Sequence, residues 1–191
     1  MQWYNPPPAW EERGDTLVVT AGPRTDFWRK THYGFVRDSG HFFYQEVAGD
    51  FQCDVVVRGA YASLYDQAGL MVRADETTWL KTGIEFVEGA QYASAVVTRD
   101  FSDWSVVPLA GSPPAIWLRL RRARETVEVS YSLDGDRYAM LRLAYLTLAE
   151  RVQVGPMCAA PDGDGFEVSF EGGRAARLTP DQDLRSRRFF G

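Results

Sequence analysis

Three side chains of different chemistry alternate along one short stretch of the chain, at Trp79, Lys81 and Glu85. Successive side chains of a β-strand point to opposite faces of the sheet, so these odd-numbered positions share one face. An aromatic ring can lie against the C–H groups of a sugar, while an ammonium group and a carboxylate can hydrogen-bond its hydroxyl groups. We therefore predict a ligand-binding face, to which Gln67 and Arg73 of the preceding predicted strand also belong.

Lysine is rare in this chain, since only Lys30 and Lys81 among the 21 basic residues are lysines. Against this arginine-rich background, a lysine favours a role that needs a compact ammonium group rather than a planar guanidinium. Two alternatives stay open. Chance can retain a lysine, and Lys81 can simply pair with Glu85 along a solvent-facing ladder of the sheet.

The candidate catalytic residues are few, and the sequence leaves the catalytic residues unknown. Glycoside hydrolysis uses two carboxyl groups, for which Glu85 could be joined by Asp66 or Glu46. Tyr65 with Lys81 could serve a lyase-type proton abstraction. We predict binding without catalysis, and a carbohydrate-active enzyme of the glycosidase or lyase type that uses Glu85 with Lys81 or Tyr65 is the alternative.

Residues 162–165, Asp-Gly-Asp-Gly, form the candidate metal-binding motif. Alternating aspartates can ligate calcium, but a complete loop also needs further oxygen ligands and a bidentate glutamate at its end. A predicted strand follows directly, so we interpret this motif as a hairpin turn and expect neither a metal nor another cofactor. Cys53 and Cys158 lie in apolar surroundings without a CxxC spacing, and we expect both to be buried thiols.

Strand patterns follow one another at short intervals along most of the chain, as is typical of an all-β sandwich. In 67–73 and 79–86 the apolar residues alternate with the candidate site residues, so the opposite face of both strands is predicted to face a core. The predicted strands are 16–20, 42–47, 51–58, 67–73, 79–86, 91–98, 106–109, 116–123, 126–132, 138–143, 152–159, 166–170 and 174–178.

Two segments near the N-terminus lack this alternation. The first ten residues, MQWYNPPPAW, contain three consecutive prolines. Proline cannot donate a ladder hydrogen bond, so we predict an extended segment at a sheet edge. Residues 25–35, TDFWRKTHYGF, combine aromatic and cationic side chains without a clear period. We predict that this second segment is a long loop lying across a sheet.

The composition limits the classes of partner. A chain of 191 residues with 45% hydrophobic residues can bury a full core, and we expect a single domain over 1–191 with a polar tail at 178–191. A net charge of −5 argues against a nucleic-acid partner, which normally requires a basic surface. The sequence has neither a leader pattern nor an apolar run of about 18 residues, so we expect a cytoplasmic protein with no membrane partner. Homodimer formation stays open.

Four segments resemble a known but uncharacterised family with a concanavalin A-like fold, which is related to a yeast regulation-of-enolase protein. They are DFWRKTHYGF, GHFFYQEVAGDF, YDQAGLMVRADETTWLKTGIEF and GPMCAAPDGDGFEVSFE. The resemblance implies a jelly-roll sandwich of two antiparallel sheets, one of them concave, and it implies carbohydrate handling only by analogy of fold. The chain lacks the closely spaced ExDxxE strand of laminarinase-like enzymes on this fold, which argues against hydrolysis.

Together these observations predict an all-β, concanavalin A-like protein that holds a saccharide or a related small metabolite on its concave sheet. A regulatory role, in which the same sheet binds another protein, is a further alternative.

Overall fold

The computed structural model describes residues 1–178, which form sixteen β-strands and no helix. The predicted tail lies outside the described residues from position 179 onward. The strands are β1 (Gln2–Tyr4), β2 (Ala9–Arg13), β3 (Thr16–Thr20), β4 (Phe27–Arg29), β5 (Val36–Asp38), β6 (His41–Ala48), β7 (Phe51–Gly59), β8 (Gln67–Arg73), β9 (Thr78–Val87), β10 (Ala90–Arg99), β11 (Phe101–Pro108), β12 (Ile116–Ala123), β13 (Thr126–Ser132), β14 (Ala139–Tyr145), β15 (Arg151–Ala159) and β16 (Glu167–Arg177).

Two seven-stranded antiparallel sheets form a sandwich. Sheet A has the order β1-β6-β15-β8-β9-β10-β11, and sheet B has the order β14-β13-β12-β7-β16-β3-β2. The remaining strands, β4 and β5, pair only with each other. The predicted edge position of the N-terminal segment is confirmed, because β1 and β2 are edge strands of sheets A and B and the prolines lie between them. Across 1–178, no helix is long and apolar enough to cross a membrane.

The main core lies between the two sheets and contains the predicted apolar face of β8 and β9. Leu70 and Leu80 are fully buried there against side chains of sheet B such as Leu118. Burial of this kind removes apolar surface from water and is the main source of stability in a sandwich. The predicted burial of both thiols is confirmed, since Cys53 and Cys158 are free and buried in the same core. Burial raises the pKa of the Cys53 thiol to about 12.

A second apolar cluster lies on the opposite face of sheet A, under the hairpin formed by β4 and β5. Phe27 of β4 meets Trp79 of β9 edge to face, with ring centroids 6.2 Å apart. The other buried members come from four further strands of sheet A: Phe42, Met71, Val96 and Met157. The segment that was predicted to lie across a sheet does so, but as a short hairpin with its own strand pairing rather than as an irregular loop.

Gly69 and Gly83 face each other across the β8–β9 pair. A Cβ atom on Gly83 would lie 2.0 Å from the carbonyl oxygen of Ala68, and one on Gly69 would lie 1.8 Å from that of Thr82. No side chain therefore fits at these two positions, which lie between the candidate site residues of the same two strands. Glycine in a strand interior often marks such a close approach of two backbones.

Two sequence predictions need correction. The turn at 162–165 does not close a hairpin, because β15 belongs to sheet A and β16 to sheet B, so this segment crosses between the sheets. β11 begins at Phe101, five residues before the predicted start at 106, and six of its eight residues are exposed at the edge of sheet A. An exposed edge strand lacks the apolar alternation on which the prediction depended.

We predict that Leu80→Ala lowers the free energy of unfolding by roughly 2–5 kcal/mol, because it removes buried methyl groups and leaves a cavity. Leu148→Ala is the matched control, since Leu148 is 69% exposed, and it should change stability by less than about 0.5 kcal/mol. Equilibrium denaturation of both variants measures the difference. Equal losses would contradict the assignment of Leu80 to the sandwich core.

Candidate functional site

The hairpin formed by β4, β5 and the turn between them, called the cover hairpin here (residues 27–38), is fixed to sheet A at both ends. The guanidinium group of Arg73 on β8 donates to both carboxylate oxygens of Asp38, at 2.7 and 2.8 Å. At the other end, the ammonium group of Lys30 lies 2.7 Å from both carboxylate oxygens of Asp100. The two ion pairs hold the hairpin across the strands of sheet A.

The cover hairpin leaves part of sheet A open, and a cavity of about 270 Å³ lies there. Its walls contain five aromatic side chains, and its polar residues come from sheet A, from the hairpin and the residue before it, and from the loop between β15 and β16. The lining residues are Asp26, Trp28, Tyr33, Phe35, Arg37, Tyr65, Gln67, Lys81, Glu85, Trp104, Pro161 and Asp162. An apolar pocket with a few convergent polar groups is the usual form of a small-molecule site.

The ammonium group of Lys81 joins the floor of the cavity to the cover hairpin. It donates to the carbonyl oxygen of Phe27 at 2.7 Å and to Oε1 of Gln67 at 2.5 Å, and it lies 3.4 Å from Oδ1 of Asp26. Lys81 is 5% exposed. An ammonium group has three donors, so these three partners use all of them.

Glu85 lies beside this network and is 7% exposed. Its Oε2 atom accepts hydrogen bonds from the hydroxyl of Ser94 at 2.6 Å and from the indole N–H of Trp104 at 2.8 Å. The structure gives Oε1 no hydrogen bond within residues 1–178, and this atom is not sealed from solvent. Glu85 therefore offers one oriented carboxylate oxygen to a ligand.

Tyr65 lies at the wall of the cavity with a backbone φ of +65°, a conformation that is uncommon for a side chain of this size. Its hydroxyl lies 3.5 Å from that of Tyr33, and its ring is edge-on to that of Trp104. The hydrogen bond with Tyr33 is the main cause that raises the pKa of Tyr65 to about 12, and burial adds to it. The phenol is therefore protonated at neutral pH.

The structure brings three of the five predicted ligand-binding residues together, namely Gln67, Lys81 and Glu85. Arg73 and Trp79 share their sheet face, but neither lines the cavity. Arg73 is 4% exposed and Trp79 is 1% exposed, because the cover hairpin lies over both. Lys81 and Glu85 are also buried, so the predicted ligand-binding face is largely covered.

The structure argues against two alternatives that the sequence left open, namely a Lys81–Glu85 ion pair and a catalytic pair of Glu85 with Asp66 or Glu46. No ion pair joins Lys81 to Glu85 within the described residues, where the partner of Lys81 is Asp26. The expected carboxyl partners of Glu85 do not line the cavity. Asp66 is buried, and its Oδ2 accepts from two backbone N–H groups of the loop before β8, whereas Glu46 is exposed on β6.

Sequence reasoning missed most of the aromatic wall. Trp28, Tyr33 and Phe35 lie in residues 25–35. The density of aromatic residues in this segment was the one feature of the sequence that indicated them. Trp104 lies on β11, and Asp162 lies in the motif interpreted as a turn. Local periodicity could not place these residues, because they reach the cavity from distant parts of the chain.

Residues 3–177 match a family described as "Protein of unknown function (DUF1349)". The chain is 39% identical over 168 residues to a Saccharomyces cerevisiae protein named "Regulation of enolase protein 1", covering 88% of this chain and 85% of the yeast protein. The family resemblance noted in the sequence is thereby confirmed.

Solved structures with the same fold are also found. A crystal structure described as that of a functionally unknown protein from Saccharomyces cerevisiae has a TM-score of 0.89 at 37% identity, covering 93% of this chain and 96% of that one. A Bacillus subtilis structure named "Carbohydrate binding module CBM66" has a TM-score of 0.57 at 12% identity, covering 91% and 94%. At that low identity the second likeness shows the fold alone. The predicted concanavalin A-like jelly-roll sandwich is confirmed.

We predict that Arg73→Met lowers the free energy of unfolding by about 3 kcal/mol, because it leaves Asp38 without its partner in a largely buried ion pair. Arg58→Met is the matched control. Arg58 pairs with Glu171 at the surface, where both side chains are about half exposed, and its loss should cost at most about 1 kcal/mol. Denaturation measures both values, and hydrogen exchange should show faster exchange at β4 in Arg73→Met alone. Equal effects would contradict the anchoring role of Arg73.

Proposed function

The chain belongs to the DUF1349 family of proteins of unknown function, and we propose that this member binds a small saccharide, or a related polyol-like metabolite, without transforming it. The binding site is the cavity under the edge of the cover hairpin. Gln67, Lys81 and Glu85 form its polar floor, and aromatic rings form its wall.

The observation that carries this proposal is the combination of rings and fixed polar atoms in one cavity. Trp28, Tyr33, Phe35, Tyr65 and Trp104 all line it. Aromatic faces pack against the C–H groups of a sugar, and a small number of oriented polar groups then fixes its hydroxyl groups. Glu85 supplies such an acceptor, because Ser94 and Trp104 hold its carboxylate in place.

The size of the cavity sets the size of the ligand. Ligand pockets usually measure about 300–1,000 Å³, and the volume here is about 270 Å³. This favours a ligand of one sugar ring, or a short polyol, over a polysaccharide chain lying along the sheet. Likeness to a module whose printed name includes carbohydrate binding supports the ligand class only by analogy of fold.

The enzymatic alternative is weaker on the same geometry. A lyase that uses Tyr65 as its base needs a phenolate, but the pKa of Tyr65 is raised to about 12. All three donors of Lys81 are engaged with protein acceptors, which favours a structural ammonium over a proton acceptor. A glycosidase remains the second candidate, because Glu85 and Asp162 both line the cavity and two carboxyl groups are what that reaction requires.

Isothermal titration of the wild-type protein with single neutral monosaccharides and disaccharides tests the proposal. We expect at least one of these sugars to bind. Trp104→Ala should weaken that binding by about tenfold or more, which corresponds to about 1.4 kcal/mol, because it removes a wall ring and a donor to Glu85. The melting temperature should change little, since Trp104 is 38% exposed.

Tyr145→Ala is the matched control, because Tyr145 is an exposed aromatic residue on β14 that does not line the cavity. Its sugar affinity should equal that of the wild type. No binding of any saccharide, or equal losses in the two variants, would contradict the proposal. Chromatography of the sugar after long incubation separates binding from turnover, since a chemically altered sugar would support the glycosidase.

A further inference from the structure

The charges around the cavity do not cancel. Five charged side chains line it: Asp26, Arg37, Lys81, Glu85 and Asp162. Lys81 pairs with Asp26. The guanidinium group of Arg37 is exposed and lies over the ring of Phe35, 4.9 Å from its centroid. Within residues 1–178, no ion pair involves Glu85 or Asp162, so neither carboxylate has a protein cation in contact.

Of these two carboxylates, Glu85 has the greater need of a partner, because Asp162 is exposed to water and Glu85 is more than nine-tenths buried. A buried carboxylate is costly unless it is paired and hydrogen-bonded. Both hydrogen bonds of Glu85 reach Oε2. Oε1 is left without a protein donor among the described residues, and a ligand in the cavity that Glu85 lines can donate the missing hydrogen bond.

The buried carboxylate of Glu85 favours a cation over a neutral donor. Trp104 directs its N–H edge at Glu85 and meets Tyr65 edge to face, with ring centroids 6.3 Å apart. The ring edge carries partial positive charge, so Trp104 orients the carboxylate through a hydrogen bond without neutralising it. An ammonium group adds a Coulombic attraction that a neutral hydroxyl group lacks.

We infer that the ligand of this cavity is a saccharide with a free, protonated amino group, whose ammonium binds Oε1 of Glu85 beside Tyr65 and Trp104. The inference rests on the proposed saccharide site and adds the chemical class of its ligand. The sugar ring packs against the aromatic wall, and the amine supplies the positive charge that Glu85 lacks.

The test compares each amino sugar with its neutral counterpart. D-glucosamine, D-galactosamine and D-mannosamine are titrated into the wild-type protein, with D-glucose, D-galactose, D-mannose and N-acetyl-D-glucosamine as the uncharged partners. The ammonium group adds an attraction between opposite charges that a neutral hydroxyl group lacks, so at least one amino sugar should bind roughly tenfold or more tightly than its neutral partner. N-acetylation, which removes the charge, should abolish the advantage.

Glu85→Gln should remove that advantage, so that an amino sugar and its neutral partner bind the variant with equal affinity. Glu171→Gln, on the exposed surface of sheet B, is the control and should keep the advantage. If Glu85→Gln fails to fold, Trp104→Phe is the second variant, because it keeps an aromatic ring but removes the N–H that orients Glu85. It should reduce the advantage of the amine without removing sugar binding.

Each outcome separates the two proposals. Equal affinities for amino and neutral sugars overturn this inference and leave the saccharide site intact. An advantage that persists in Glu85→Gln also overturns it, because the amine would then bind elsewhere. If no saccharide of either kind binds to the wild-type protein, both proposals are wrong.

Discussion

The buried ammonium group of Lys81 is the interaction on which the arrangement of the site depends. It lies between sheet A and the cover hairpin and donates to Phe27, Gln67 and Asp26, which come from both sides of that contact. An isolated buried charge is strongly unfavourable, so the three acceptors have to stay in place for the ammonium to be tolerated. The same contacts position the hairpin backbone and the side chain of Gln67. Lys81 thus joins the floor of the cavity to its cover, in addition to the two ion pairs that anchor the hairpin.

One face of sheet A has two different uses. Where Phe27 covers it, the face is a second apolar core with Trp79 at its centre. Where the hairpin ends, the same face becomes the floor of the cavity, with Glu85 as its least compensated charge. Gly69 and Gly83 pair between the candidate site residues, where the backbones of β8 and β9 approach too closely for any side chain. Whether the cover hairpin lies over a polar side chain, more than the type of that side chain, decides whether it can contact a ligand.

Period-two alternation was sufficient to predict the sandwich, its core face, and the grouping of Gln67, Lys81 and Glu85 on the other face. It could not show that Arg73 and Trp79 are covered, because their partners Asp38 and Phe27 lie 35 and more residues earlier in the chain. Nor could it find Trp104, whose strand lies at the sheet edge without apolar alternation. Asp66 was misjudged for another reason. Its carboxylate caps two N–H groups of its own loop, and short-range spacing does not distinguish this use from catalysis.

A crystal structure of the wild-type protein soaked with D-glucosamine tests most directly whether the covered face of sheet A holds the ligand. The sugar ring is expected in the cavity beside Trp104 and Tyr65, with its amino nitrogen within hydrogen-bond distance of Oε1 of Glu85. Lys81 is expected to keep its contact with Phe27. Sugar density confined to another surface, with only water in the cavity at a saturating concentration of the sugar, would contradict the assignment of this cavity as the binding site.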